Sequence, residues 1–294
     1  MPTLPPPLAL LRPQQWVKNV LVFAALLFAR KLFDPQALFL AALAFVAFCG
    51  GASSVYVLND LVDAERDRLH PEKCQRPIAS GRVSPALALA LAAGLSLGSL
   101  ALAFLAVGPP FGLALLIYLA MSHFYSLAGK HVAILDVMLI ASGFVVRALS
   151  GALAIAVPIS DWFMLTTVFV SLFIALSKRK AEMLALSEEA VHTRPVLRAY
   201  SRESLSVFTA ASLAGVLISY ALYLLDLRHL SETNFNLLAL TLPFVMFALF
   251  RYHLLVDTAN LGERAEEILY QDRAIQVSVL GFGLVALAAL YWTR

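Results

Sequence analysis

Residues 37–68 read ALFLAALAFVAFCGGASSVYVLNDLVDAERDR, a long apolar run that ends in a group of charged residues. The first part, residues 37–58, contains no charged side chain. A helix needs about 20 predominantly apolar residues to cross the hydrocarbon core of a bilayer. The run is continuously apolar and does not alternate with polar residues as the strands of a membrane barrel do. It therefore predicts a transmembrane helix that is followed directly by acidic residues.

Similar apolar runs recur along the whole chain. Of its 294 residues, 61% are hydrophobic and 14% are charged, and the mean hydropathy of +0.81 is far above that of a soluble domain. Glycine, proline and charged residues separate the runs. We predict an all-α polytopic membrane protein in which residues 1–294 form one domain. The nine predicted spans are residues 16–33, 37–58, 86–107, 110–127, 134–157, 160–177, 206–225, 234–255 and 273–292.

Positive charges are distributed unevenly over the two sides of these spans. Of the 22 lysines and arginines, 17 would lie on the side of the N-terminus and four on the other side, with Arg147 inside a span. The side with more positive charge is normally cytoplasmic. We therefore predict a multi-pass protein of the cell (inner) membrane with a cytoplasmic N-terminus and its C-terminus on the opposite side. The bilayer is an expected partner and nucleic acid is not; the sequence leaves open whether copies form a homo-oligomer.

Three aspartates follow the run 37–58. If the helix continues beyond Leu58, Asp60, Asp63 and Asp67 fall at positions i, i+3 and i+7 and share one face. Clustered carboxylates repel one another unless a cation lies between them, and Mg²⁺ favours a few carboxylate oxygens together with water and phosphate oxygens. The pattern predicts a Mg²⁺ site that binds the diphosphate group of a substrate.

Two cations follow the aspartates in a loop bounded by prolines. Lys73 and Arg76 could neutralise phosphate oxygens that the metal does not contact. The alternative interpretation is a solvated run of charges at the membrane surface. We prefer a binding site because the aspartates share a helix face and because Asn59 and Asp60 lie at the membrane edge, where polar groups are costly.

This segment resembles the signature NDxxDxxxDxxH…KxxRP of the UbiA superfamily of intramembrane prenyltransferases. The resemblance implies a UbiA-type bundle of nine transmembrane helices with an active-site cap on the cytoplasmic side. It also implies that the three aspartates are catalytic and hold Mg²⁺ and the substrate diphosphate, with Asn59 as a further ligand. The matching residues are Asn59, Asp60, Asp63, Asp67, His70, Lys73, Arg76 and Pro77.

A second aspartate-rich motif usually follows the sixth span in superfamily members that use prenyl diphosphates. Residues 177–183 of this chain instead read SKRKAEM. Lys178, Arg179 and Lys180 form a basic cluster that binds a second Mg²⁺ poorly but can bind a phosphate directly. The sequence therefore favours one metal-bound diphosphate and one metal-free phosphate. Ordinary anchoring by positive charges at the membrane surface is the alternative explanation for these three residues.

Arg147 lies within an apolar span. An arginine there is costly unless it faces a polar cavity or a partner. Gly143 and Gly151 lie four residues away on either side, on the same face, and would leave room around the guanidinium. We therefore predict that Arg147 binds substrate, with a structural salt bridge to a buried acid as the alternative.

Other segments are similar to one branch of the superfamily, which transfers 5-phosphoribose from phosphoribosyl diphosphate to a polyprenyl (decaprenyl-type) phosphate and releases diphosphate. The resemblance implies these two substrates, and it adds Tyr125 and Lys130 to the substrate-binding candidates. The similar segments are residues 11–19, residues 125–126 with Lys130 and Asp136, residues 142–144 with Arg147, Lys178 and Arg179 with Glu182, and residues 267–273.

Two other functions stay open at this point. A prenyltransferase could attach an isoprenyl chain from its diphosphate to an aromatic or other small acceptor, although the second aspartate motif of such enzymes is missing. A transporter or channel would also have many spans and an intramembrane arginine. That class gives no reason for three aspartates on one helix face followed by two basic residues.

Overall fold

The computed structural model describes residues 5–69, 73–185, 195–226, 237–258 and 268–291, and within these ranges every regular element is a helix. In this described part of the chain, eight helices are long and apolar enough to cross a membrane. The prediction of an all-α polytopic membrane protein is therefore confirmed. The α-helices are α1 (Pro6–Leu10), α2 (Ala24–Phe28), α3 (Pro35–Val62), α4 (Ala64–Arg68), α5 (Pro85–Leu102), α6 (Pro109–Leu127), α7 (Leu135–Ala154), α8 (Asp161–Ala185), α9 (Arg202–Asp226), α10 (Leu242–Thr258), α11 (Ile268–Gln271) and α12 (Arg273–Tyr291).

Shorter helices of other types lie between or beside the α-helices. A π-helix at Ala103–Val107 continues α5. The 3-10 helices are Pro13–Phe23, Lys73–Gln75, Gly129–His131, Pro195–Ala199 and Leu237–Thr241. The ends of two predicted spans, residues 234–236 and Trp292, lie outside the described residues.

The predicted span 16–33 has a different form from the other eight. It consists of the 3-10 helix Pro13–Phe23 followed directly by α2. A 3-10 helix rises about 2.0 Å per residue and an α-helix about 1.5 Å. End to end, these segments of 11 and 5 residues would extend about 30 Å, which is the thickness of the hydrocarbon core. The tighter winding thus gives a short segment the length of an ordinary span.

The chain divides into two compact units. The first contains Met1–Leu127 and Val146–Pro158, and the second contains Ala128–Val145 and Ile159–Arg294. Helix α7 contributes its first half to the second unit and its second half to the first. The single domain over residues 1–294 stays a prediction.

In the first unit, α3 is the central element. Asp34 caps its N-terminus, since the carboxylate accepts hydrogen bonds from the backbone N–H groups of Gln36 and Ala37 at 3.1 and 3.2 Å. The helix packs along α5 and the 3-10 helix Pro13–Phe23. Phe48 is fully buried and meets Phe111 edge-on, with 5.8 Å between the ring centroids. This packing fixes the end of α3, where the acidic residues begin.

In the second unit, α8 packs along α9, and α10 packs along α12. Phe173 and Tyr252 are buried in its core with 5.7 Å between their ring centroids. The C-terminal half of α8 carries the basic residues that follow the sixth predicted span. The core therefore fixes which of those residues are buried and which can reach solvent.

Candidate active site

The acidic residues lie where α3 ends and α4 begins. Asp63 is the C-terminal cap of α3, but its N–H donates to the Asn59 carbonyl at 2.9 Å, and the Asp67 N–H donates to the Asp63 carbonyl at 2.8 Å. The helical path therefore continues through the junction. As a result Asp60 and Asp67, seven residues apart, lie on one face.

One guanidinium joins these two carboxylates. Arg76 Nη1 lies 3.1 Å from Asp60 Oδ1 and 2.7 Å from Asp67 Oδ2. Because both oxygens contact the same nitrogen, they are close to each other, and both aspartates are buried. Arg76 thus lies between the two carboxylates and offsets their negative charge.

Arg12 supplies a second cation that the sequence did not identify as a site residue. Its Nη2 donates to Asp60 Oδ1 at 2.5 Å, and its guanidinium lies 5.3 Å from the centre of the Tyr56 ring. The sequence offered two signals, namely the position of Arg12 just before the first span, on the side expected for Asp60, and its place in the family-like segment 11–19. The contact itself depends on how the N-terminal segment packs against α3.

Asp63 and Lys73 are half-buried. In the ranges that the structure describes, no three His, Cys, Asp or Glu residues are grouped so as to hold a metal ion. The structure thus joins Asp60 and Asp67 through Arg76 and does not assemble a cluster of three carboxylates. His70 of the sequence signature lies outside the described residues.

Asn59 provides a test of whether a divalent metal fits. Its Oδ1 is buried and has no hydrogen-bond partner among the described residues, which is unfavourable for an amide oxygen. Together with the carboxylates of Asp60 and Asp67 it gives a donor set made only of oxygen. Such a set fits Mg²⁺, which takes a few protein oxygens and completes its coordination with water and phosphate.

Arg147 is buried in α7 and contacts neutral polar groups of the first unit. Its Nε donates to Asn19 Oδ1 and its Nη2 donates to Tyr118 OH, both at 2.7 Å. Its guanidinium also lies 4.6 Å from the centre of the Tyr118 ring. Gly151 also allows a close approach that the sequence did not predict, since a Cβ at this position would lie 2.0 Å from the Val22 carbonyl oxygen. The glycine makes room for the backbone of the 3-10 helix Pro13–Phe23.

Arg179 and Lys180, two of the three basic residues of α8, are paired with acids inside the second unit. Arg179 is 1% exposed; its Nε lies 3.1 Å from Asp136 Oδ2, and its Nη1 bonds Glu182. Lys180 Nζ lies 2.7 Å from Asp257 Oδ1. These contacts neutralise much of the charge that the sequence suggested for a phosphate.

Tyr200 completes this buried network. Its hydroxyl donates to Asp136 Oδ1 at 2.6 Å and accepts from the Ile134 N–H at 2.6 Å. Burial, with the Asp136 hydrogen bond, raises the pKa of Tyr200. Sequence reasoning missed this residue because no local motif marks it.

The other predicted substrate-binding residues are half-buried. Lys178 lies on α8, Lys130 lies in the 3-10 helix Gly129–His131, and Tyr125 lies near the end of α6. Each unit therefore has its own set of polar groups at helix ends. Asp60, Asp67, Arg12 and Arg76 form the set in the first unit that is best suited to a metal and an anion.

Long apolar helices, with buried carboxylates paired to arginines at the end of one of them, define an integral membrane protein with a charged site at a helix end. The model of the UbiA prenyltransferase family matches residues 19–270, and the chain belongs to this family of transferases.

Proteins of known name are similar over most of the chain. Decaprenyl-phosphate phosphoribosyltransferase of Corynebacterium glutamicum is 37% identical, covering 96% of this chain and 85% of the relative. The enzyme of the same name from Mycolicibacterium smegmatis is 34% identical, covering 96% and 91%. A solved UbiA homologue from Archaeoglobus fulgidus, bound to GPP and Mg²⁺, has a TM-score of 0.71 at 18% identity and covers 97% of both chains. This structural likeness supports the UbiA-type fold.

Proposed function

We propose that this protein transfers 5-phosphoribose from phosphoribosyl diphosphate to a polyprenyl (decaprenyl-type) phosphate and releases diphosphate, in a reaction that depends on Mg²⁺. The strongest support is the 37% identity, over 96% of the chain, to a relative named decaprenyl-phosphate phosphoribosyltransferase. The oxygen-donor set beside Arg76 is consistent with a diphosphate leaving group. The Mg²⁺ in a solved homologue of the same fold gives further support for a divalent metal.

Asn59, Asp60, Asp63 and Asp67 would hold the metal, and Lys73 and Arg76 would bind phosphate oxygens. Bound Mg²⁺ would neutralise negative charge on the diphosphate. The bond between the anomeric carbon and the diphosphate oxygen breaks, and its electron pair leaves with the diphosphate. Arg76 is positioned to stabilise that charge because it already contacts two carboxylates beside the site.

The acceptor needs little activation. An oxygen of the lipid phosphate forms the new bond to the anomeric carbon, and this oxygen is already anionic, so no strong general base is required. Orientation of the two anions by cations is then the main task of the chain. This requirement agrees with basic residues, in place of an aspartate motif, at residues 178–180.

Two further phosphates need cations, namely the 5-phosphate of the donor and the phosphate of the lipid. The candidates are Lys130, Arg147, Lys178, Arg179 and Lys180, with Tyr125 as a further polar contact. Arg179 and Lys180 would have to exchange a carboxylate partner for a phosphate. Phosphate can replace a carboxylate in such an ion pair because it offers charge-assisted hydrogen bonds of similar strength.

In this proposal residues 1–294 act as one transferase domain in the inner membrane, with the N-terminus in the cytoplasm and the C-terminus on the other side. Cys74 lies in the loop after α4 and is partly exposed, whereas Cys49 is buried in α3. A membrane-impermeant maleimide should therefore label Cys74 in inside-out vesicles and not in right-side-out ones. A Cys74→Ser variant gives the background labelling. Labelling of Cys74 in right-side-out vesicles only would contradict the proposed orientation.

The activity test gives purified protein two substrate pairs in parallel. One is phosphoribosyl diphosphate with decaprenyl phosphate, and the other is geranyl diphosphate with 4-hydroxybenzoate. We expect diphosphate release from the first pair only, with loss of release in EDTA and in Asp67→Ala. Arg66→Gln, an exposed change on the same helix α4, should retain activity.

Each other outcome has a definite meaning. Release from the second pair alone would support the alternative, a prenyltransferase that acts on an aromatic or other small acceptor. No release from either pair would contradict the proposal. Activity that persists in Asp67→Ala would contradict the metal-binding role of that residue.

A further inference from the structure

Arg12 is held against Asp60 by one face of α3. The carbonyl of Leu11 accepts a hydrogen bond from Ser53 Oγ at 2.8 Å. One turn further along α3, the guanidinium lies against the Tyr56 ring, and after another turn it bonds Asp60. Ser53, Tyr56 and Asp60 stand at i, i+3 and i+7, so they share a face. The backbone and the side chain of Arg12 are therefore positioned by the same helix.

The backbone of Arg12 is strained. Its φ of 49° and ψ of 60° lie in the left-handed region, which is unfavourable for a residue with a Cβ. A second hydrogen bond, from Trp16 Nε1 to Ser53 Oγ at 3.0 Å, helps to hold the segment in this conformation. Strain that the surrounding contacts maintain is a reason to look for function.

The arginines lie outside the carboxylates. The side chains of Asp60 and Asp67 are 3% and 7% exposed, whereas those of Arg12 and Arg76 are 29% and 28% exposed. Two positive charges therefore cover two negative charges. A bare divalent cation must displace these guanidinium groups and then repels them. A metal–diphosphate complex brings phosphate oxygens to which the displaced guanidinium groups can bind.

We infer that Arg12 and Arg76 form an exchange pair, which covers Asp60 and Asp67 in the absence of substrate and moves to the diphosphate oxygens when the metal–diphosphate complex binds. The metal and the diphosphate then bind together, and each increases the affinity for the other by the same factor. Arg12 is a positioning residue for this step as well as a ligand of the diphosphate. The inference rests on the proposed diphosphate site, but not on the group that the diphosphate carries.

The test measures binding to the full-length protein without any donor or lipid substrate. Mn²⁺ serves as the probe because it prefers the same oxygen ligands as Mg²⁺ and is visible by electron paramagnetic resonance. Its affinity is measured alone and as the complex with inorganic diphosphate, for the wild type, Arg12→Gln, Arg12→Lys and Arg66→Gln. Arg66 is exposed on α4, so its variant controls for the loss of one positive charge nearby.

The wild type should bind the complex much more tightly than bare Mn²⁺. Arg12→Gln should bind bare Mn²⁺ about threefold to tenfold more tightly, because a competing cation is lost, and should bind the complex more weakly by a similar factor. Arg12→Lys should lie between the two, and Arg66→Gln should match the wild type. A purely structural role for Arg12 would weaken both affinities.

Several results would overturn the inference. One is an unchanged or weakened affinity of Arg12→Gln for bare Mn²⁺. Another is that the affinities of Arg66→Gln change as much as those of Arg12→Gln. The third is a wild type that binds Mn²⁺ equally well with and without diphosphate. If Arg12→Gln does not fold, Ser53→Ala keeps the arginine but loosens its backbone. Ser53→Ala should bind bare Mn²⁺ more tightly and the Mn²⁺–diphosphate complex more weakly, by smaller factors than Arg12→Gln. If neither affinity changes in Ser53→Ala, the inference is contradicted.

The proposed function and this inference can fail separately. Suppose that phosphoribose is not transferred, but Arg12→Gln binds bare Mn²⁺ more tightly and the Mn²⁺–diphosphate complex more weakly. The exchange pair then stands, and only the substrate assignment is wrong. If phosphoribose is transferred but the shifts are absent, Arg12 has no part in coupling metal to diphosphate.

Discussion

Arg147 and Asn19 are 128 residues apart in the sequence, and their side chains meet at 2.7 Å through Arg147 Nε and Asn19 Oδ1 inside the first unit. A second bond, to Tyr118 OH, and the Tyr118 ring hold the same guanidinium. The intramembrane arginine thus links α7 to the 3-10 helix Pro13–Phe23 and to α6. It has a structural role whether or not it also contacts substrate.

Arg147→Met should lower the thermal unfolding temperature, because Asn19 and Tyr118 lose a charged hydrogen-bond partner in a buried site. Each orphaned polar group costs roughly 1–3 kcal/mol. Arg147→Lys keeps one positive donor and should be less destabilised. A fluorescence melt in detergent measures the effect, with Arg66→Met as the exposed control. An unchanged melting temperature together with a large rise in KM would instead show that Arg147 serves substrate alone.

Gly151→Ala should destabilise the protein. The new Cβ would lie 2.0 Å from the Val22 carbonyl oxygen, which belongs to the backbone and cannot turn away. Gly94→Ala on α5 is the matched control, since a Cβ at this position would meet no neighbouring atom within 4 Å. In a helix, alanine is also more favourable than glycine by about 1 kcal/mol. The melting temperature should fall for Gly151→Ala and stay or rise for Gly94→Ala. Equal effects in the two variants would refute the close contact between α7 and the 3-10 helix Pro13–Phe23.

Tyr200→Phe should destabilise the second unit by about 1–3 kcal/mol, because Asp136 loses a buried hydrogen bond and the Ile134 N–H loses a partly buried one. The loss should be large here because Ile134 has a φ of 69°, a costly conformation for a β-branched residue. Thermal melts of the two proteins measure the difference.

The pH dependence of this difference has a definite sign. The pKa of Tyr200 is raised above the usual value of 10.0, so its stabilising contribution is fully present below pH 10.0 and declines as the pH rises towards the higher folded-state pKa. The gap between wild type and Tyr200→Phe should therefore be constant near neutral pH and narrow in strong alkali. A gap that widens in alkali would contradict the assigned hydrogen bond.

Asp272→Ala should lower stability at the start of α12. The Asp272 carboxylate accepts from the Ile275 N–H at 2.9 Å, and its other oxygen lies 3.0 Å from Arg251 Nη2. Loss of an N-cap costs about 0.5–2 kcal/mol, and an exposed ion pair adds little. Asp272→Asn keeps a capping oxygen and should therefore retain most of the stability. Similar losses in the two variants would assign the effect to the ion pair.

Acid should remove the stabilisation that the Asp272 carboxylate provides. The Arg251 hydrogen bond, followed by the Ile275 N–H, lowers the pKa of Asp272 below the usual 3.8. The carboxylate therefore stabilises the fold above pH 3.8, and this stabilisation is lost as the pH falls through the lower folded-state pKa. Melts of wild type and Asp272→Ala should converge only in that acid range.

The sequence by itself determined the all-α membrane fold and the position of the acidic site. Both follow from local properties, since an apolar run such as residues 37–58 has only a helix to satisfy its backbone groups in lipid. The spacing of Asp60 and Asp67 on that helix likewise follows from its period. The family likewise followed from the motif that begins at Asn59.

Only the tertiary structure decided which cation meets which acid. The carboxylate of Asp60 receives Arg12 from 48 residues away, and Arg179 of the basic cluster is buried against Asp136. The first part of the predicted span 16–33 is a 3-10 helix, whose Trp16 and Asn19 side chains bond residues of α3 and α7. These outcomes depend on packing between segments that are distant in the chain. The helical period and the local charge pattern do not predict which distant side chains will be in contact.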